Sequence, residues 1–360
     1  MNKVNAAIVG CGNISGIYLK NLTAYFKNTC VYAVCDLIEE NAKKAAVEYG
    51  IDKIMTLEEI LADKNIDLVL NLTTPEKHYE ICKKALESGK HVYVEKPLAL
   101  NYKDGKELVD LAENKQLLIG CAPDTFMGAG IQTCIKIIED GLVGEIIGAE
   151  AFMMCHGHES WHPNPEFYYK KGAGPMFDMG PYYITALVSM IGAVQSVSGM
   201  TIKGMDKRVI TSQPKYGEII DVEVPTHVNA LLKFKNGAVG NIITSFDVWG
   251  SMLPKIEIHG TKGSIIVPDP NTFGGTVKLK QSFDKEFHDY PLLSKYSENY
   301  RGIGLSEMAD CILNKKKMFS ANGKKALHVL EIMEAIHTSS EQHKEINLQS
   351  DCESSKFLKL

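Results

Sequence analysis

Nowhere does this 360-residue chain sustain the roughly 20 consecutive apolar residues that cross a bilayer. It also lacks a basic cluster. Its 39 Lys and Arg against 44 Asp and Glu give a net charge of −5, which argues against nucleic acid or an anionic membrane surface as a main partner. No CxxC pair occurs among its nine scattered cysteines, several of which lie in apolar runs, such as Cys82 in HYEICKKAL and Cys155 in AFMMCHG. That usage excludes a disulfide framework and fits reduced, buried thiols in a cytoplasmic protein. Internal repeats and low-complexity segments are absent as well. The start, MNKVNAAIVGCGNI, is too short in apolar length and too soon rich in glycine for a signal peptide.

What is present reads as a soluble globular chain, 45% apolar and 23% charged. Its length exceeds what one hydrophobic core commonly holds, so two domains are expected. Up to residue 122, short apolar runs alternate with stretches of helical spacing. Strands are expected at Asn5–Val9, Cys30–Cys35, Leu68–Leu72, His91–Val94 and Leu117–Gly120. Strand–helix alternation predicts an α/β domain with a doubly wound parallel sheet. From 123 to 360 the rhythm shifts to a few helices and longer strands, with turn signals at Asn236 and Gly260. A second α/β domain follows, built on a large, mostly antiparallel open sheet. A closing helix over 326–339 packs back on the first domain.

In AAIVGCGNISGIY, Gly10 and Gly12 end a strand and open a helix, with Asn13 and Ile14 at the helix start. The first glycine permits a tight turn, and the second leaves a pyrophosphate room against the helix N–H groups. Ser15 stands where such loops commonly carry a third glycine or alanine, and it is small enough for close packing. VYAVCDL then ends a second strand on Asp36, placed to accept both hydroxyls of an adenine ribose. The same carboxylate repels a 2′-phosphate, and Leu37 and Ile38 offer no arginine to receive one, so NAD is favoured over NADP. Later strands end in Thr73-Thr74-Pro75, with His78 just beyond, and in Glu95-Lys96-Pro97. In a doubly wound sheet these carboxyl ends face the cofactor crevice. A residue before proline is biased to extended backbone, which fixes the direction of Lys96.

These motifs, with GAGPMFDMGPYY, RGIGLSEMAD and KKALHVLEIM in the same order, resemble the glucose-fructose oxidoreductase / inositol dehydrogenase / rhizopine-catabolism group, Gfo/Idh/MocA. The resemblance spans essentially the whole chain. It implies a Rossmann domain followed by an open-sheet α/β domain, NAD(P)-linked redox chemistry on sugars, inositols and related polyols, and dimers or tetramers packed through the C-terminal sheet. Relatives commonly carry Asp-x-Gly-x-His, whose aspartate and histidine lie beside the substrate with the EKP lysine. Here the stretch is Asp178-Met179-Gly180-Pro181-Tyr182, with tyrosine in place of histidine, as in some relatives.

Asp178 and Tyr182, at i and i+4, share a face of an otherwise apolar helix. Phenolate at pH 7 costs about 4 kcal/mol for a free tyrosine. A neighbouring ammonium lowers an opposite-charge partner by about 1–3 units, so Lys96 is the group to assist Tyr182. Asp178 is expected to orient a substrate hydroxyl or hold Lys96, while Tyr182 or Lys96 moves the proton. In the loop CHGHESWHPNPEFYYKKGAG, His156, His158, Glu159 and His162 have spacing compatible with zinc, yet hydride transfer to NAD needs no metal, and none is expected. Trp161 and His162 are read as lining a polyol site, the other loop histidines as solvated, and Arg301 as a further substrate contact or a structural salt bridge. Two alternatives share the same cofactor motifs: an NAD-dependent glycosidase working by transient oxidation at C3 and elimination, and a non-enzymatic NAD or sugar sensor.

Overall fold

The computed structural model describes residues 2–358, which fall into two compact units. The first runs through Gly128 and resumes over Tyr296–Leu330; the second comprises Ala129–Lys295 and the chain from Glu331.

The first unit opens with β1 (Val4–Val9), α1 (Ser15–Ala24), β2 (Thr29–Cys35), α2 (Glu39–Tyr49) and α3 (Leu57–Ala62). It continues with β3 (Leu68–Asn71), α4 (Pro75–Glu87), β4 (His91–Val94), α5 (Tyr102–Asn114) and β5 (Ile119–Cys121). The strands pair in parallel in the order β2-β1-β3-β4-β5. Such strands are buried on both faces and therefore read as unbroken apolar runs: Leu68, Val69 and Leu70 are fully shielded. The order reverses between β1 and β3, and at such a switch point the strand ends splay apart to admit a ligand.

The second unit begins with α6 (Ala129–Glu139), β6 (Ile146–Met154), α7 (Pro175–Ile191) and β7 (Val194–Ile202). A two-stranded hairpin, β8 (Lys207–Val209) and β9 (Ile219–Asp221), precedes β10 (His227–Phe234) and β11 (Val239–Ser245). Then come β12 (Ile256–Gly260), β13 (Gly263–Val267), β14 (Val277–Gln281) and β15 (His288–Tyr290). With β16 (Ile346–Asn347) these make a nine-stranded sheet, ordered β15-β14-β13-β12-β6-β11-β10-β7-β16. Among the described pairings β6–β11 is parallel and the others antiparallel. Period-2 alternation sorts its faces: in β10, Val228, Ala230, Leu232 and Phe234 are buried, whereas Leu231 is exposed. α7 covers the buried face over β6, β10 and β11.

The chain re-enters the first unit with α8 (Ile303–Leu313), followed by α9 (Gly323–Gln342). This return corrects the expected division at 122/123. Buried Ile303, Leu305 and Met308 seat α8 against β1 and β5. The edge of β5 is also capped by chain, since Cys121 N donates to Ala321 O at 3.0 Å and Gly120 bridges Asn322. α9 is divided likewise. Its residues through Leu330 belong to the first unit, and beyond them Ser339 and Ser340 hydroxyls accept from Gly199 N and Thr201 N of β7.

Candidate active site

The glycine loop sits at the switch point. Gly10 has φ +100°, and a Cβ there would lie 2.7 Å from the Leu72 backbone at the end of β3, so glycine is demanded by conformation and by contact. Gly12 differs: a Cβ would meet no protein atom within 4 Å. The chain's own packing gives no reason for glycine there, whereas a diphosphate laid on the start of α1 does. That start has no side-chain cap, Ile14 being its N-cap residue. Ser15 turns inward, its hydroxyl donating to Gly12 O at 2.6 Å. Asp36 closes the loop: Cys11 N donates to Oδ2 at 2.7 Å and Ile38 N to Oδ1 at 2.8 Å. Asn41 Nδ2 also donates to Oδ1 at 3.4 Å. A carboxylate has about four acceptor sites, so about one stays available for a ribose hydroxyl. Burial and the neighbouring Asp36 push the Cys11 thiol up to about 12, leaving it protonated and inert.

The next two strand ends are bound to each other. Asn71 Oδ1 accepts from Thr73 Oγ1 at 2.7 Å and Thr73 N at 3.2 Å. The fully buried His78 reaches from α4 to both loops, Nδ1 at 2.7 Å from Pro97 O and Nε2 at 3.1 Å from Thr73 O. Burial holds its pKa below the usual range. Glu95 is also buried, accepting Tyr18 OH on Oε1 at 2.7 Å and Lys96 N on Oε2 at 2.9 Å. His78 and Glu95, read from sequence as cofactor ligands, thus spend their polar atoms on the protein and position Thr73 and Lys96. Thr74 is exposed as N-cap of α4, with Pro75 in its first turn and Lys96 partly exposed.

Arg301 belongs to this unit, its Nη1 donating to Asn299 Oδ1 at 2.9 Å. The neighbouring Gly302 N and Gly304 N donate to Asp124 Oδ2 at 2.8 and 3.1 Å. Burial pushes the Asp124 carboxyl up to about 6 against those two bonds and the Arg301 charge.

In the second unit α7 begins at Pro175 behind Gly174 at φ +90°, two turns earlier than the apolar run from Tyr182 suggests. Asp178 therefore lies in the first turn, where the helix dipole favours a carboxylate. Tyr182 follows one turn later and is 8% exposed. The loop histidines are not uniformly solvated. His158 is buried, its Nε2 3.1 Å from Asp178 Oδ2, in a box of Trp161, Tyr168 and Phe246 rings. Its Nδ1 has no hydrogen-bond partner, so the proton belongs on Nε2 as donor to Asp178. His156 stacks on Trp249, ring centroids 3.3 Å apart. Trp161 is 62% exposed, and His162 Nδ1 accepts from Asn164 N at 3.0 Å.

Glu159 serves a different purpose from metal binding. It accepts from Arg208 Nη1 and Tyr169 OH, while Arg208 Nη2 donates to Asp247 Oδ1 and to Phe246 O at 2.7 Å. The Arg208 side chain is 1% exposed. This buried network pins the loop that carries His158, and nothing in the sequence marked Arg208 or Tyr169.

A doubly wound sheet with a bare glycine at its switch point, an acid on the next strand and an antiparallel-sheet partner unit defines a dinucleotide-linked oxidoreductase fold. Residues 4–122 match the oxidoreductase family with NAD-binding Rossmann fold, and residues 131–266 match the GFO/IDH/MocA C-terminal domain. The chain belongs to the GFO/IDH/MocA family and is an NAD-binding oxidoreductase. An uncharacterized oxidoreductase of Schizosaccharomyces pombe is 30% identical, over 97% of this chain and 100% of its own. Myo-inositol 2-dehydrogenase of Thermotoga maritima is 23% identical over 86% of this chain and 87% of its own. Among solved structures, a levoglucosan dehydrogenase in complex with NADH superposes with a TM-score of 0.84 at 20% identity, covering 97% of this chain and 100% of that one.

Proposed function

We propose that the protein is an NAD-dependent dehydrogenase or reductase of a sugar, inositol or related polyol. The carrying observation is the pair on α7: Asp178 held by the boxed His158, and the buried phenol of Tyr182 one turn on. A polyol presents adjacent hydroxyls, so it needs an anionic acceptor to orient one and a proton acceptor at the reacting one. Asp178 is the first, with the aromatic side chains Trp161 and Tyr168 beside it for the apolar side of a ring. Tyr182 or Lys96 is the second. Bound NAD supplies a hydride acceptor; the alcohol carbon gives up its hydride, and its hydroxyl proton goes to the side chain, leaving a carbonyl. Gly10, Gly12, Asn13, Ile14, Asp36, Thr73, Thr74 and Pro75 are assigned to hold the dinucleotide, and Arg301 and His162 to the substrate.

The nine-stranded sheet is also proposed as the surface through which copies associate. Its face opposite α7 exposes Met200, Ile202, Leu231 and Val239 on neighbouring strands. Light scattering of the purified protein reads the number of chains.

NADH absorbance against a panel of sugars, inositols and glycosides tests the reaction. Steady reduction of NAD by one polyol class, lowered at least 100-fold in kcat by Tyr182→Phe with KM nearly kept, is the expected result. Glycoside cleavage without net NAD reduction would overturn it in favour of a glycosidase. Unchanged turnover in Tyr182→Phe would move the proton to Lys96.

A further inference from the structure

On that outward face, away from the residues assigned to cofactor and substrate, β6 and β12 bring three ligand-type side chains together. Glu150 and Glu257 are directly paired across the strands, and His259 lies two residues on from Glu257, opposite Gly148. Their ligand atoms all lie within 4.8 Å of one another. Two carboxylates directly opposite on one sheet face repel and destabilise the pairing unless a positive charge intervenes. His259 is the nearest such group. Its Nε2 stands 2.7 Å from Glu150 Oε2, and that oxygen, shut off from solvent, has no well-formed hydrogen bond. The imidazole is also pre-set, with Nδ1 at 2.9 Å from Ser264 Oγ on β13, the kind of outer contact that orients a metal-binding histidine. Gly148, opposite His259, presents no side chain to it.

We propose that Glu150, Glu257 and His259 form a binding site for a divalent transition metal, zinc being the best match. One imidazole and two carboxylates suit zinc, with metal–ligand distances of about 2.0–2.2 Å and hence ligands about 3.4 Å apart. Small rotations of two glutamates on a rigid sheet reach that spacing. Water or the Asn241 amide, paired beside Glu150 from β11, completes the coordination. The ion neutralises the paired carboxylates and ties β6 to β12. It has no part in hydride transfer, and the site stands independently of the dehydrogenase reading.

The full chain, expressed with zinc in the medium, is measured for bound metal, then stripped with chelator and titrated with Co²⁺ by visible absorption. One zinc per chain is expected, and a cobalt d–d spectrum that Zn²⁺ abolishes. His259→Ala and Glu257→Gln should each weaken binding at least about 100-fold, and Ser264→Ala about 10- to 100-fold. His158→Ala should leave it unchanged. Circular dichroism checks each variant; if His259→Ala does not fold, Glu257→Gln and Ser264→Ala carry the test. Absence of metal in both preparations overturns the proposal, as does binding that survives all three substitutions.

Discussion

His158 Nε2 and Asp178 Oδ2 lie 3.1 Å apart, linking the start of the loop after β6 to the first turn of α7. With Nδ1 unpartnered, the ring serves as a donor to the carboxylate. A hydrogen bond to a charged group contributes about 1.5–3 kcal/mol, so His158→Ala should lower kcat/KM roughly 10- to 100-fold and leave NAD affinity unchanged. His158→Gln, which keeps a donor, should restore part of the rate. Equal rate losses in His158→Ala and His158→Gln would make His158 merely structural.

Asp36 carries two tasks at once. Its carboxylate accepts from Cys11 N inside the glycine loop and is the group proposed to hold the ribose. Asp36→Ala should therefore raise the Kd for NAD at least about tenfold without creating good NADP binding, since the loop loosens with the contact. Leu37 is fully exposed beside it, so Asp36→Ser with Leu37→Arg is the combination expected to admit a 2′-phosphate. Calorimetric titration of both cofactors measures this. A simple exchange of preference by Asp36→Ala alone would refute the double role.

Local pattern made the first unit legible. β4 spans His91–Val94 as expected, β3 starts at the expected Leu68, and the glycine loop follows β1. That Asp178 and Tyr182 stand one turn apart on one helix was legible because i,i+4 spacing needs no knowledge of tertiary structure. The sequence hid what depends on distant partners. Arg208 meets Glu159 and Asp247 at separations of 49 and 39 residues, on a three-residue strand too short to show a period. His158 looked solvated because the rings enclosing it include Phe246, far along the chain. α8 was missed because its N-cap, Gly302 at φ +103°, offers no capping side chain and its first turn is held by Asp124 instead.

Tyr18 acts on Lys96 through Glu95. The phenol donates to one carboxylate oxygen and the Lys96 N–H to the other. Tyr18→Phe leaves the carboxylate one donor short and should lower kcat several-fold to about tenfold, with little change in KM. Glu95→Gln should cost more, because an amide accepts on one side only and turns its NH₂ toward the remaining donor. An unchanged kcat in Tyr18→Phe, measured at saturating cofactor, would show that Tyr18 merely fills space.

Asp124 and His78 make the first unit respond to acid in opposite directions. Burial raises Asp124 to about 6, so the folded chain takes up a proton before the unfolded chain does, near 4. Its ionised form is penalised above pH 6, and that penalty is relieved as pH falls from 6 toward 4. Burial lowers His78, so the unfolded chain protonates first and stability is lost as pH falls below about 6.5. Asp124→Asn isolates the first effect. Between pH 7.5 and 5.0 the stability of the parent relative to this variant should rise by about 1.4 kcal/mol, one unit of proton linkage. Trp161 and Trp249 both lie in the second unit, so urea unfolding of the first is followed by circular dichroism rather than tryptophan fluorescence. A difference that stays flat across this range would mean that the Gly302 and Gly304 N–H groups, with Arg301, offset the burial in full and hold Asp124 in the ordinary carboxylate range.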